Sequence, residues 1–201
     1  MIVSDTHGRH DEYGALEGDV LIHCGDGSES SAESVAALDE WFGRQRCEHV
    51  LAVGGNHDFE ILRRTRNEEQ VFRHARFLLD EAVELGGLRF YGSPWVPGLF
   101  GWAFYAKDET LAGHWARIPS DTDVLITHTP PAGILDRDRG GYGYGCAQLL
   151  RRVDEIEPRV HCFGHIHASG GVLERSATTF VNASSVTHAQ PQLRPPVVLE
   201  L

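Results

Sequence analysis

An α/β fold is predicted by three observations. Short apolar runs rich in β-branched residues alternate with helical patterns from Val20 to Pro158. Turn residues bound most of those runs, as strand ends require. Past Gly170 the helical patterns stop and short strands continue, which suggests a strand-rich closing sheet. With 201 residues, 41% of them hydrophobic, the chain can bury a full core and falls within the usual size of one domain, taken here as 1–201.

The strand candidates, in order, are Val20 to Cys24, Val50 to Val53, Leu88 to Tyr91, Val124 to Thr127, Val160 to Phe163, Thr178 to Val181 and Val197 to Leu201. Only Met1-Ile2-Val3 precedes Ser4-Asp5, a first strand shorter than the usual five or six residues, so a few upstream residues are expected to be missing. Ser30 with Glu33 reads as a capping box, and Val35, Leu38, Trp41 and Phe42 follow at helical spacing. A second helix is expected within Phe59 to Arg76, and a third with Asp108 as N-cap. A fourth is expected from about Cys146 until Pro158 ends it. Gly18 to His23 faintly echoes Thr122 to His128, and the glycine-rich stretch Arg139 to Gly145 reads as a surface loop.

A net charge of −11 argues against a generic polyanion binder, because such affinity comes from clustered Lys and Arg neutralising phosphates. Long nucleic acid is therefore not an expected partner, although Arg63, Arg64 and Arg66 form one local basic patch. Cys24, Cys47, Cys146 and Cys162 form no Cys-x-x-Cys pair and read as reduced thiols, two of them inside strands. No basic leader with an apolar stretch and no membrane-length apolar run occurs, so no membrane partner and a cytoplasmic location are expected. Oligomeric state is not legible.

Five motifs carry chemistry: Asp5-Thr6-His7, Gly25-Asp26, Gly55-Asn56-His57-Asp58, His128 and Gly164-His165-Ile166-His167. Singly, each has a bland reading as a solvated turn. Together, delivered at strand ends, they read as a site for two divalent ions. In extended chain, residues i and i+2 face the same way, so Asp5 with His7, and His165 with His167, would each present two ligands in one direction. Carboxylate, imidazole and amide oxygen without thiolate suit Mn, Fe, Zn, Ni or Mg; the ligand set does not choose among them, and Mn is taken as the favoured expectation. Asp26, in a tight turn after a strand, is the candidate bridging ligand, and Asn56 is a neutral oxygen donor. Two ions about 3.5 to 4 Å apart lower the pKa of a shared water and stabilise charge in an in-line displacement at phosphorus, which favours phosphoester hydrolysis. His57 is expected to face the substrate, binding a phosphoryl oxygen or protonating the leaving alkoxide, with Asp58 orienting its ring; the competing reading is a histidine that fixes the turn. His23 reads as a satisfied core histidine. His10, His49, His74, His114, His161 and His188 match no ligand spacing and read as surface or structural residues.

The ordered set D-x-H, G-D, G-N-H-[DE], H and G-H-x-H resembles the calcineurin-like metallophosphoesterase superfamily. The resemblance implies a four-layer sandwich of two mixed β-sheets flanked by helices. It implies one metal on Asp5, His7, Asp26 and His167, a second on Asp26, Asn56, His128 and His165, and a substrate-facing His57. Tyr91 to Pro97, Gly101 to Phe104, His128 to Pro131 and Val181 to Ser184 are similar to the branch containing vertebrate brain metallophosphoesterase-domain proteins. Some members of that branch carry Gly where this chain has His165, and are impaired by it. The branch, and the neighbouring bacterial cyclic-nucleotide phosphodiesterases it is similar to, imply a small phosphodiester substrate, with 2′,3′- or 3′,5′-cyclic nucleotides as candidates. Trp95 and Trp102 are candidates for a base-stacking wall, against a bland reading as loop packing. The alternative function is a metal- or nucleotide-binding regulatory module with negligible turnover.

Overall fold

The computed structural model describes residues 1–187 and 192–201, so His188 lies outside the described residues. Two sheets face each other. The first is wholly parallel, in the order β1 (Ile2–Val3), β2 (Glu17–His23), β3 (Arg46–Ala52), β4 (Arg76–Phe77). The second has the order β5 (Glu81–Leu85), β6 (Leu88–Ser93), β7 (Val124–Thr127), β8 (Val160–Phe163), β10 (Thr178–Asn182), β9 (Gly171–Arg175). Its inner strands β6, β7, β8 and β10 are parallel neighbours, and β5 and β9 close its edges antiparallel.

Period-two alternation divides the core into three layers. Ile22, Leu51, Val124, Ile126, Val160 and Cys162 point between the sheets. Their neighbours Leu21, Val50 and Ala52 turn outward onto α1 (Ala32–Gly43) and α2 (Phe59–Arg66), where Val35, Leu38, Trp41, Phe42 and Ile61 meet them. Leu125 and Phe163 turn outward onto α3 (Asp108–Ala116) and α4 (Ala147–Ile156), against Leu111, Trp115, Leu149 and Val153. The result is helices, sheet, sheet, helices. The faint internal echo has a physical counterpart, since β2 and β7 each turn alternate side chains into this shared middle layer.

Several local expectations shift. The cap of α1 is Ser31, whose Oγ accepts from the Ser34 N–H at 3.2 Å, rather than Ser30. Lys107 is the N-cap of α3, and Asp108 occupies its first turn, where a carboxylate still favours the helix dipole. Cys146 caps α4 through its Sγ, and Glu157 in a left-handed conformation ends that helix just before Pro158. α2 ends at Arg66, and Arg63 and Arg64 pair with Glu60 (2.7 and 3.1 Å), so much of the basic patch is neutralised locally. Val197 to Leu201 forms no strand: only Val197 bridges Ile2, and Pro195 and Pro196 just before it have no N–H to extend the ladder toward Val3 and Ser4. All four cysteines are free.

His161 provides a test of this packing. Thr127 Oγ1 donates to the Thr129 carbonyl at 2.7 Å, so His161 Nε2 must donate to Thr127 Oγ1 at 2.9 Å. Its Nδ1 is then left buried without a partner. Burial lowers this imidazole to about 3, whereas it would titrate near 6.5 in the unfolded chain. The unfolded state therefore binds the extra proton first, and stability falls as pH drops from about 6.5 toward 3. Between pH 7 and 5 this group removes about 2 kcal/mol. His161→Phe, packing on Phe163 and Phe180, is expected to flatten the acid side of the urea-unfolding profile by that amount. Parallel profiles for the two proteins would contradict it.

Candidate metal centre

Each motif leaves the C-terminal end of a parallel strand. Asp5 and His7 follow β1, Asp26 follows β2, and Asn56 and His57 follow β3; from the facing sheet, His128 follows β7, and His165 and His167 follow β8. Parallel strands place these ends on one rim of the sandwich, where binding sites of open α/β sheets form. A separate cavity of about 590 Å³ at the opposite rim is lined by Ile2, Val20, Phe90 and Val124 and includes none of these residues.

The side chains converge in overlapping groups. Donor atoms of Asp5, His7 and His167 lie within 4.8 Å of one another, as do those of Asp26, His128 and His165, and those of His7, Asp26 and His57. His167 Nε2 is 3.3 Å from both Asp5 Oδ1 and His7 Nε2. His128 Nε2 is 3.0 Å from Asn56 Oδ1 and 3.3 Å from Asp26 Oδ2.

His128 shows whether a cation fits. Its Nδ1 lies 2.8 Å from the Cys24 carbonyl, an acceptor only, so Nδ1 carries the proton. In the neutral ring, the lone pair of Nε2 then faces two oxygens. A positive charge between them relieves that repulsion. Without metal a proton takes this role: burial opposes it, but Asp26 outweighs burial and pushes His128 up to about 9. A carbonyl-bound Nδ1–H with a free Nε2 is the usual arrangement of a metal-ligating histidine. Burial lowers His7 and His165, the latter to about 4, and keeps both rings neutral as ligation requires. Burial raises Asp5, but the hydrogen bond and charge of His167 and the other histidines hold it well below the usual carboxylate range.

The backbone differs from the extended geometry expected. Asp5, His7, Asp26 and His165 all have positive φ, at 51°, 44°, 53° and 69°. Left-handed turns, not i and i+2 alternation, aim these candidate ligands. Each such residue costs on the order of 1–3 kcal/mol and persists only where its surroundings hold it. Those surroundings are visible. Asp5 accepts from the His165 N–H (2.9 Å) and from Ser184 Oγ (2.9 Å), and Asp26 Oδ1 accepts from the His57 N–H (2.8 Å). Gly55 and Gly164 pass so close that a Cβ on either would overlap the Asp26 or the Asp5 carboxylate.

His57 stands at the mouth, 43% of its side chain exposed, with its ring edge-on to His7 (4.9 Å) and Trp102 (4.8 Å). Asp58 does not orient that ring. Fully buried, it accepts from the N–H groups of Asp26 (2.8 Å), Gly55 (2.8 Å) and Ser28 (3.1 Å) and from Ser28 Oγ (2.7 Å). Burial, then the charge of Asp26, raises its acid to about 6, so it is ionised at neutral pH and its four donors are matched. Trp95 and Trp102 separate. Trp95 stacks on His114 at 4.1 Å and donates to Asp80, a packing role, whereas Trp102 beside His57, and Phe59 beside Trp102, remain 42% and 38% exposed. His23 is a core histidine, its Nε2 3.1 Å from Thr6 Oγ1.

Comparisons with known proteins agree with this fold. The family model of the calcineurin-like phosphoesterase superfamily domain matches residues 1–200. Human metallophosphoesterase domain-containing protein 1 is 35% identical over 228 residues, covering 100% of this chain and 70% of that protein. A UPF0046 protein of Caenorhabditis elegans is 36% identical over 212 residues, covering 97% and 72%. Among solved structures, TT1561 of Thermus thermophilus superposes with a TM-score of 0.59 at 15% identity over 90% of this chain and 86% of that one. The phosphopantetheinyl hydrolase PptH of Mycobacterium tuberculosis gives 0.58 at 18% identity over 91% and 87%. The rim of histidines and aspartates thus sits on a shared fold, and the chain belongs to the calcineurin-like phosphoesterase superfamily.

Proposed function

We propose that this chain is a two-metal phosphodiesterase acting on small esters, cyclic nucleotides among them, in the cytoplasm. The carrying observation is His128 Nε2, opposite an Nδ1 tied to the Cys24 carbonyl, aimed at the oxygens of Asp26 and Asn56, an arrangement that a cation completes. Asp5, His7, Asp26 and His167 would hold one ion, and Asp26, Asn56, His128 and His165 the other, with manganese favoured. When bound, such a pair supplies an activated water and draws charge from the phosphoryl oxygens.

The chain's own residues do the rest. Two divalent ions against the carboxylates of Asp5 and Asp26 leave about two positive charges on the rim, which attract an anionic ester despite the net charge of −11. His57 is tied through its N–H to Asp26 while its ring stays accessible, so it can donate to a phosphoryl oxygen or protonate the leaving alkoxide. Trp102 offers an exposed indole beside it, suited to a base or another planar ester group.

Manganese-loaded protein is expected to turn over bis-p-nitrophenyl phosphate faster than p-nitrophenyl phosphate and to open 2′,3′- or 3′,5′-cyclic AMP. Trp102→Ala should raise KM for the cyclic nucleotide about tenfold, the size of one lost stacking contact, with a smaller change in kcat. No product with any of Mn, Fe, Zn, Ni or Mg would sink the enzyme reading in favour of a binding module. An unchanged KM in Trp102→Ala would remove the indole from the substrate site.

A further inference from the structure

Arg194 is unusual in how it spends its donors. Among the described residues no carboxylate pairs with it. Nη2 donates to the carbonyl of His167 at 2.8 Å, and Nη1 donates to the carbonyls of Ser184 at 2.8 Å and Val186 at 3.3 Å. Its own backbone is pinned as well, by its N–H to the Ser185 carbonyl (2.8 Å) and by Tyr13 Oη donating to its carbonyl (2.7 Å). A guanidinium presents several donors in a rigid fork, so one side chain can bind two loops at once.

Both loops serve the same end of the site. One carries His167. The other carries Ser184, whose Oγ donates to Asp5 Oδ2 at 2.9 Å, and Ser185, whose N–H binds the Ser4 carbonyl at 2.8 Å. Asp5 and His167 are 3.3 Å apart and share one candidate metal position. Gly170 lies under the guanidinium so closely that a Cβ there would overlap it, although its φ of −56° would accept alanine.

We propose that Arg194 is a positioning residue for the metal held by Asp5, His7 and His167, clasping the two loops that set the Asp5 to His167 separation. This rests on the two-metal reading above. None of its hydrogen bonds reaches Asp26, Asn56 or His128, so its loss should fall unequally on the two metal positions.

The test is calorimetric titration of the metal-free full chain with Mn²⁺, comparing wild type, Arg194→Ala, Arg194→Lys and Gly170→Ala. His167→Ala marks which binding step belongs to the clasped position. Arg194→Ala is expected to weaken that step about 10- to 100-fold, the usual cost of losing an outer-shell partner, and the other step less than about twofold. Arg194→Lys, with one compact ammonium, should fall between, and Gly170→Ala should mimic Arg194→Ala by pushing the clasp aside. If Arg194→Ala does not fold, Arg194→Lys and Gly170→Ala carry the same comparison. Folded variants whose two steps weaken equally, or not at all, overturn the proposal. Wild type that binds fewer than two ions overturns the two-metal reading itself, a result distinct from failure of the clasp.

Discussion

Asp26→Ala should abolish diester turnover, lowering kcat/KM by roughly a thousandfold or more, because several kcal/mol of transition-state charge stabilisation goes with the ions this residue helps to hold. The expectation follows from where Asp26 sits. Its Oδ2 is 3.3 Å from His128 Nε2 and 4.0 Å from His57 Nε2, and its Oδ1 receives the His57 N–H. It also belongs both to the group containing His128 and His165 and to the group containing His7. One side chain therefore joins both halves of the rim. His165→Gly provides the contrast, since among the described residues His165 groups only with Asp26 and His128, so its loss should remove one ion and leave the other. Metal content by mass spectrometry together with turnover checks both: near zero ions for Asp26→Ala, near one for His165→Gly, two for wild type. Full activity in purified Asp26→Ala would reject Asp26 as the shared ligand.

The residues that meet on the rim were legible because their chemistry requires particular side chains at the ends of strands, and those strands announce themselves as apolar runs. What aims them was not. Asp5, His7, Asp26 and His165 sit in left-handed turns, and side-chain alternation carries no signal for a turn held by tertiary contacts. Asp58 follows His57 in sequence and so suggests a partnership, but its four donors come from Gly55, Asp26 and Ser28, two of these residues about thirty positions earlier. Arg194 left no trace, because its acceptors are backbone carbonyls, which every residue possesses. The strand Glu81–Leu85 did have a signal, the Gly86-Gly87 turn with φ of 58° and 80° leading into Leu88, a hairpin signature that the apolar-run criterion passes over. The missing strand at Val197 to Leu201 shows the opposite error, where apolar character was present but only Val197 meets a strand, at Ile2.

Asp58→Ala separates these two roles of a neighbouring carboxylate. If Asp58 oriented the ring of His57, its loss would shift the pH profile of turnover and leave stability nearly intact. The geometry predicts the reverse. Removing the carboxylate strands the N–H groups of Asp26, Gly55 and Ser28 and the Ser28 hydroxyl in a fully buried turn, each unsatisfied donor costing about 1–3 kcal/mol. Water entering the space left by the side chain will recover part of that, so a net loss of about 3–5 kcal/mol is expected, at the upper end for a single substitution. Asp58→Asn should recover part of the loss, because its amide oxygen can still accept from the N–H groups of Asp26 and Gly55 and the Ser28 hydroxyl can accept from its NH2, which leaves the Ser28 N–H unmatched. Urea unfolding of the metal-free proteins measures the loss without reference to activity. A midpoint close to wild type with a displaced pH profile would restore Asp58 to the side of His57. A large drop in midpoint, with the residual folded fraction keeping the wild-type pH profile, would place it as the fastener that holds Asp26 and the Gly55 turn against each other.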